Sequence, residues 1–176
     1  MKDSYSVIGS YLDLDGIAFT RFNLEGNKFT VLRAIVLDEL PSYESIYSSL
    51  FELASMGNGK GEIVTLCNFG DSLKAYLVSR FNQGNMFFRV RSTEVNNESP
   101  VLLQCLLNEQ RLILPEDSAR EIRECLDLWK SDKDKEKKHH LVYSLLHSVS
   151  FSESRLIAES IFSSSSDHVG MLKVLK

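Results

Sequence analysis

Residues 138–146 read Lys138-His139-His140-Leu141-Val142-Tyr143-Ser144-Leu145-Leu146. Leu141, Val142, Leu145 and Leu146 recur at helical spacing, which predicts an amphipathic helix burying that face. The adjacent histidines then stand in its first turn, where the helix enters the core. Just upstream, Ser131-Asp132-Lys133-Asp134-Lys135-Glu136-Lys137-Lys138 is a charge run that reads as a solvated loop. A further helix is expected over 152–162, and Ser163–Ser166 with the remaining residues reads as frayed linker.

Further upstream, Ala119, Ile122, Leu126 and Trp129 give residues 116–130 one apolar face. Arg111-Leu112-Ile113-Leu114-Pro115 reads as a short extended link, and Glu98-Ser99-Pro100 opens a helix over about 100–109. The first half has a different rhythm. Residues 5–11, 17–24 and 28–37 are apolar or alternating strands joined by Asp13-Leu14-Asp15-Gly16 and Glu25-Gly26-Asn27, residues suited to hairpin turns. Pro41-Ser42 opens a helix carrying Tyr43, Ile46, Tyr47, Leu50, Phe51 and Ala54 at the 3.6-residue period. Strands at 62–67 and 86–91 flank a helix that ends near residue 82. A three-strand meander continued by strand–helix–strand units predicts an α/β fold, with a mixed five-stranded sheet flanked by helices.

Composition bounds the function. The 176 residues are 43% hydrophobic and 25% charged, enough for one domain with a real core, placed at 1–162 with a tail over 163–176. A net charge of −4 gives no overall pull toward nucleic acid and leaves only a local basic patch open. Lys60, Lys74, Arg80, Arg89 and Arg91 are candidates for such a patch, or are ordinary solvated surface. No apolar run reaches about 18 residues, and Met1-Lys2-Asp3-Ser4 is not a signal-peptide start, so a cytoplasmic protein without a membrane span is expected. Cys67, Cys105 and Cys125 lie among apolar residues without metal-ligand spacing and read as reduced core thiols. There is no G-x-x-x-x-G-K-[ST] loop. Gly57-Asn58-Gly59-Lys60-Gly61 follows a helix and precedes a strand, the reverse of a phosphate cradle. No G-x-S-x-G elbow is present.

The order three strands, helix, strand, helix, strand resembles the ribonuclease H-like fold. Residues 98–149 are similar to the end of the nuclease domain of large terminase subunits of tailed bacteriophages, the motors that package DNA into capsids. There a helix leads to a "(K/R)-L-I-apolar-P/H" link, another helix, a polar loop and a "His-Asp-Asp-apolar-apolar" helix. Here the corresponding residues are Leu106-Leu107-Asn108-Glu109-Gln110-Arg111-Leu112-Ile113-Leu114-Pro115 and then Lys138-His139-His140-Leu141-Val142-Tyr143.

The resemblance implies a two-metal nuclease in which carboxylates hold magnesium or manganese. It also implies where those carboxylates belong. The first position, after Val7-Ile8-Gly9-Ser10, falls on Tyr11; the second, at the end of the fourth strand, on Leu66 or Cys67; the final pair on His139 and His140. None is acidic, although Asn68 and Gly70 agree with the family. Asp13 or Asp15 could rescue the first position and Asp71 the second. Yet Asp13 and Asp15 flank a hairpin turn, and Asp71 suits the N-cap of a helix beginning at Ser72. His139 and His140 could ligate zinc, but they lack a third partner in sequence.

The expectation is a catalytically inactive nuclease-fold domain of a viral packaging motor, in the cytoplasm of a host cell. It would need no cofactor and would contact double-stranded DNA and motor or portal proteins. One alternative is an active endonuclease using Asp13 or Asp15 with Asp71 and magnesium or manganese. The other is an unrelated α/β interaction module.

Overall fold

The computed structural model describes residues 4–14, 16–39, 41–56, 63–84, 89–93, 101–114, 116, 120, 122–124, 126–127 and 140–171. The first three strands are β1 (Ser4–Asp13), β2 (Gly16–Glu25) and β3 (Lys28–Asp38). They pair antiparallel as the expected meander. Helix α1 (Tyr43–Ser55) begins where Ser42 Oγ accepts the Ser45 amide. It leads to β4 (Ile63–Cys67), which pairs parallel with β1. Helix α2 (Asp71–Gln83) then crosses to β5 (Arg89–Thr93), parallel to β4.

The five-stranded expectation needs one correction. The link after α3 (Val101–Asn108) contributes a sixth strand, β6 (Leu112–Ile113), parallel to β3. The sheet order is β5-β4-β1-β2-β3-β6. Gln110, at φ 57°, ends α3 in the left-handed conformation, with Arg111 N bonded to the Leu106 carbonyl and Gln110 N to the Leu107 carbonyl. That is a Schellman termination with Gln where Gly is usual. It turns the chain so that the Phe29 amide meets the Arg111 carbonyl at 2.7 Å. The Arg111 guanidinium joins the Asn27 carbonyl and Glu153, tying the β2–β3 turn to the last helix.

That last helix, α4, runs unbroken over His140–Met171. Two helices and a linker were expected there. Its serines Ser144, Ser148 and Ser152 return their hydroxyls to carbonyls of the preceding turn, so they interrupt nothing. The charge run 131–138 lies outside the described residues. Among the described residues no helix is long and apolar enough to cross a membrane.

Each sheet face has its own core. Ile8, Phe19, Leu50, Leu53, Val64, Leu66 and Leu77 pack between the sheet, α1 and α2. Val7, Phe22, Leu24, Phe29, Leu145 and Val149 pack between the opposite face, α4 and α3. A bulge between Arg21 and Phe22 places Arg21 opposite Arg33 and Phe22 opposite Val31. Arg21 is buried at 2% exposure and donates to the Leu53 carbonyl. There it meets the last turn of α1, where the negative end of the helix dipole favours a cation.

Candidate functional site

The parallel neighbours β1 and β4 end side by side, with Tyr11 opposite Cys67 in register. Carboxyl ends of strands are where open α/β sheets place their sites. Alternation sends Val7, Gly9 and Tyr11 to the α4 face. Gly9 lets the helix approach: a Cβ there would lie 2.3 Å from Ser148 Oγ and 2.5 Å from the Ser144 carbonyl oxygen. Helix α4 runs antiparallel to β1, with His140 beside Tyr11 at one end and Arg155 over the Tyr5 ring at the other. Fifteen helical steps cover about 22 Å and six strand steps about 20 Å, so helix and strand stay matched along their length.

This alignment lays His140, Tyr143 and His147 over Tyr11. The Tyr11 ring stacks on Tyr143 at 5.0 Å and on His147 at 5.8 Å, and is tilted against His140 at 5.8 Å. Tyr143 stacks in turn on His147 at 6.1 Å. Tyr11 is only 8% exposed and His147 3%. Burial, then the charge of Asp13, then Tyr143 and Cys67, push the Tyr11 hydroxyl up to about 12. Nε2 of His140 is buried without a hydrogen-bond partner among the described residues.

The positions singled out in sequence divide clearly. Tyr11, Cys67 and His140 come together at the ends of β1, β4 and the start of α4. Leu66 is turned to the opposite face, in the α1–α2 core, which leaves Cys67 as the residue beside Tyr11. Asp13 is exposed. Its carboxylate accepts the Leu14 amide at 2.7 Å and, at 3.4 Å, the Tyr11 hydroxyl. It is a turn residue at the rim of the stack. Asp71 is the first residue of α2, not its N-cap; Gly70 holds the cap position. Its side chain is fully exposed and lies 3.6 Å from Lys74. Asn68, at φ 64°, donates to the Leu12 carbonyl at 2.7 Å and ties the end of β4 to the end of β1. Asp15, Lys60 and His139 lie outside the described residues. Tyr143 and His147 were missed in sequence, although their spacing of three and seven from His140 puts all three on one helical face.

The expected basic patch splits. Lys74 and Arg80 belong to α2 on the far face; Arg80 pairs with Glu44 at 2.7 Å and lies 4.6 Å over the Tyr47 ring. Arg89 and Arg91 are exposed on edge strand β5, opposite Ile63 and Thr65 in register, and so share the sheet face of Cys67 and Tyr11.

The residues at the strand ends do not fit hard divalent ions. Such ions need several oxygen ligands. Here a phenol, a thiol and an imidazole occupy the positions, and ring stacking fills the space between sheet and helix. Among the described residues, no group of three or more His, Cys, Asp or Glu is placed to hold a metal.

The architecture is that of ribonuclease H-like nuclease domains. The human cytomegalovirus terminase nuclease domain, solved after manganese soaking with an inhibitor bound, superposes with a TM-score of 0.58 at 8% identity, over 86% of this chain and 83% of that one. The large terminase nuclease of thermophilic phage G20c gives 0.54 at 15% identity, over 84% and 82%. The large terminase of another thermophilic bacteriophage, in complex with ATP-gamma-S, gives 0.55 at 13% identity, over 82% of this chain. The chain spans only 39% of that terminase. At these identities the likeness is one of fold. No protein-family model and no curated protein matches the sequence.

Proposed function

We propose that this domain contacts DNA without cutting it, as a non-catalytic nuclease-fold component of a viral DNA-packaging motor. One observation carries the reading. The ends of β1 and β4 and the start of α4, where the resemblance to terminase nucleases implies carboxylates, bring together Tyr11, Cys67 and His140, and Tyr143 and His147 stack on Tyr11. The fold shared with terminase nuclease domains supports the packaging context. Arg89 and Arg91, exposed on the same sheet face, are the cations we assign to phosphate contact. Docking to motor or portal proteins would complete the role.

The test is incubation of supercoiled plasmid with the folded chain and manganese, alongside DNA-binding isotherms at several salt concentrations. Binding that weakens with salt, without nicking, is the expected result. Manganese-dependent nicking that disappears in Asp13→Ala, Asp15→Ala or Asp71→Ala would replace this reading with an active endonuclease. Absence of DNA binding would leave a protein-interaction role.

A further inference from the structure

The last helix divides the sheet face that it covers. Ser144 and Ser148 meet β2 and β1, through the Thr20 hydroxyl at 3.2 Å and beside Gly9. Leu141, Leu145 and Val149 lie on one flank of α4, in the core shared with Phe29, Val31 and Leu112 of β3 and β6. His140, Tyr143 and His147 follow one another by three and four positions and so line the opposite flank. That flank is turned toward β4 and β5, the strands on the other side of β1. Tyr143 and His140 are half-buried there, while Tyr11 and His147 are buried.

Two cations face this flank across β4. Arg89 and Arg91 are exposed on the same sheet face, two strand spacings from β1, which is about 10 Å. They stand two residues apart on β5, about 6.6 Å along it, the step between successive phosphates of one extended nucleotide chain. Val90 between them turns to the other face, into the α1–α2 core.

Charge decides which form of DNA such a site takes. A duplex presents a phosphate for about every 1.7 Å of its axis, and proteins held mainly by its phosphates make on the order of six to ten contacts. Here two arginines face the helix flank, while Arg33, Arg80 and Arg111 pair with Glu52, Glu44 and Glu153. The Asp13 carboxylate stands exposed at the rim of the stack, where it repels a second backbone. Two phosphate contacts hold one strand weakly, so the rest of the affinity comes from the bases. Stacking one base on an aromatic side chain strengthens binding about five- to hundredfold. Within a duplex each base is already stacked on its neighbours, so only an unpaired strand presents a base face to Tyr143.

We propose, on the footing of the DNA reading above, that the domain holds a single strand of DNA. Arg89 and Arg91 bind two successive phosphates along β5, and a base turns inward to stack on the half-buried Tyr143 ring beside His140. Tyr11 and His147, stacked on Tyr143, hold that ring in place. Recognition is by a π-face and a backbone, so it is tolerant of sequence.

The test measures binding of the full chain to a fluorescent strand of about ten nucleotides, to its duplex, and to the same strand with its central bases removed. The single strand should bind about tenfold or more tighter than the duplex, and the strand lacking bases should lose about five- to hundredfold. Tyr143→Leu, which keeps an apolar side chain against Tyr11, should lose a similar factor for the intact strand and nothing for the strand lacking bases. Duplex binding as tight as that of the single strand would overturn the inference and leave the DNA reading standing. Equal binding of the strands with and without bases would do the same. No binding of any of the three would overturn both.

Discussion

The Tyr11 hydroxyl offers the most direct test of the stack. Its value is raised from 10.0 to about 12, mainly because the ring end is taken out of water and secondarily because Asp13 lies beside it. The neutral phenol is thus favoured by the fold. This contribution is fully present below pH 10 and is lost as pH rises through 12. Two units would correspond to about 2.7 kcal/mol. The hydroxyl points to exposed Asp13, so solvent screening brings this down to about 1–2 kcal/mol. Tyr11→Phe removes the titrating group while keeping the ring in its stack on Tyr143 and His147. At neutral pH it gives up only the 3.4 Å contact with Asp13, which costs under about 1 kcal/mol. Urea unfolding of both proteins at about pH 9 and about pH 11.5 gives the double difference, cancelling the titration of other tyrosines and lysines. The original protein should lose about 1–2 kcal/mol more than Tyr11→Phe between the two conditions. Equal losses would refute the buried stack.

Three further outcomes follow from the packing. Gly9→Ala forces a methyl against the Ser144 carbonyl, a backbone atom that moves only with the helix; unfolding should show a loss of about 2–3 kcal/mol. Gln110→Gly relieves a left-handed residue at the end of α3; it should raise stability by up to about 1 kcal/mol, read from the denaturation midpoint. Replacing Arg89 and Arg91 together by Ser should lower the slope of log affinity against log salt by about two for DNA, with the melting temperature little changed.

The meander was legible because its signals are local. Asp13-Leu14-Asp15-Gly16 and Glu25-Gly26-Asn27 punctuate runs whose alternation matches the observed facing of Ala18, Phe22 and Leu24 against Ile17 and Phe19. The sixth strand was not legible. Two residues, Leu112 and Ile113, carry no period, and their extended state comes from the Schellman turn that sets Arg111 against Phe29. The continuity of α4 was obscured by Ser144, Ser148, Ser150 and Ser152, residues that favour helix ends when they are solvated. Buried against β1, Ser144, Ser148 and Ser152 bond back into the helix instead.

The site was half legible, and the boundary is physical. That Tyr11, Cys67 and His140 lie close together could be read from element order, because strand ends and helix starts fix positions along the chain. What fills the space between them could not, because it depends on how far α4 slides along β1. Gly9 sets that slide: by letting Ser144 and Ser148 approach the sheet, it brings Tyr143 and His147 over Tyr11. A carboxylate placed at residue 11 alone would therefore meet two rings where a cation needs oxygens. Tyr11→Asp should destabilise the fold without gaining a manganese-dependent rise in melting temperature. Such a rise in the single variant would mean that the stack yields to an ion, and that the site is closed by one residue and not by the helix above it.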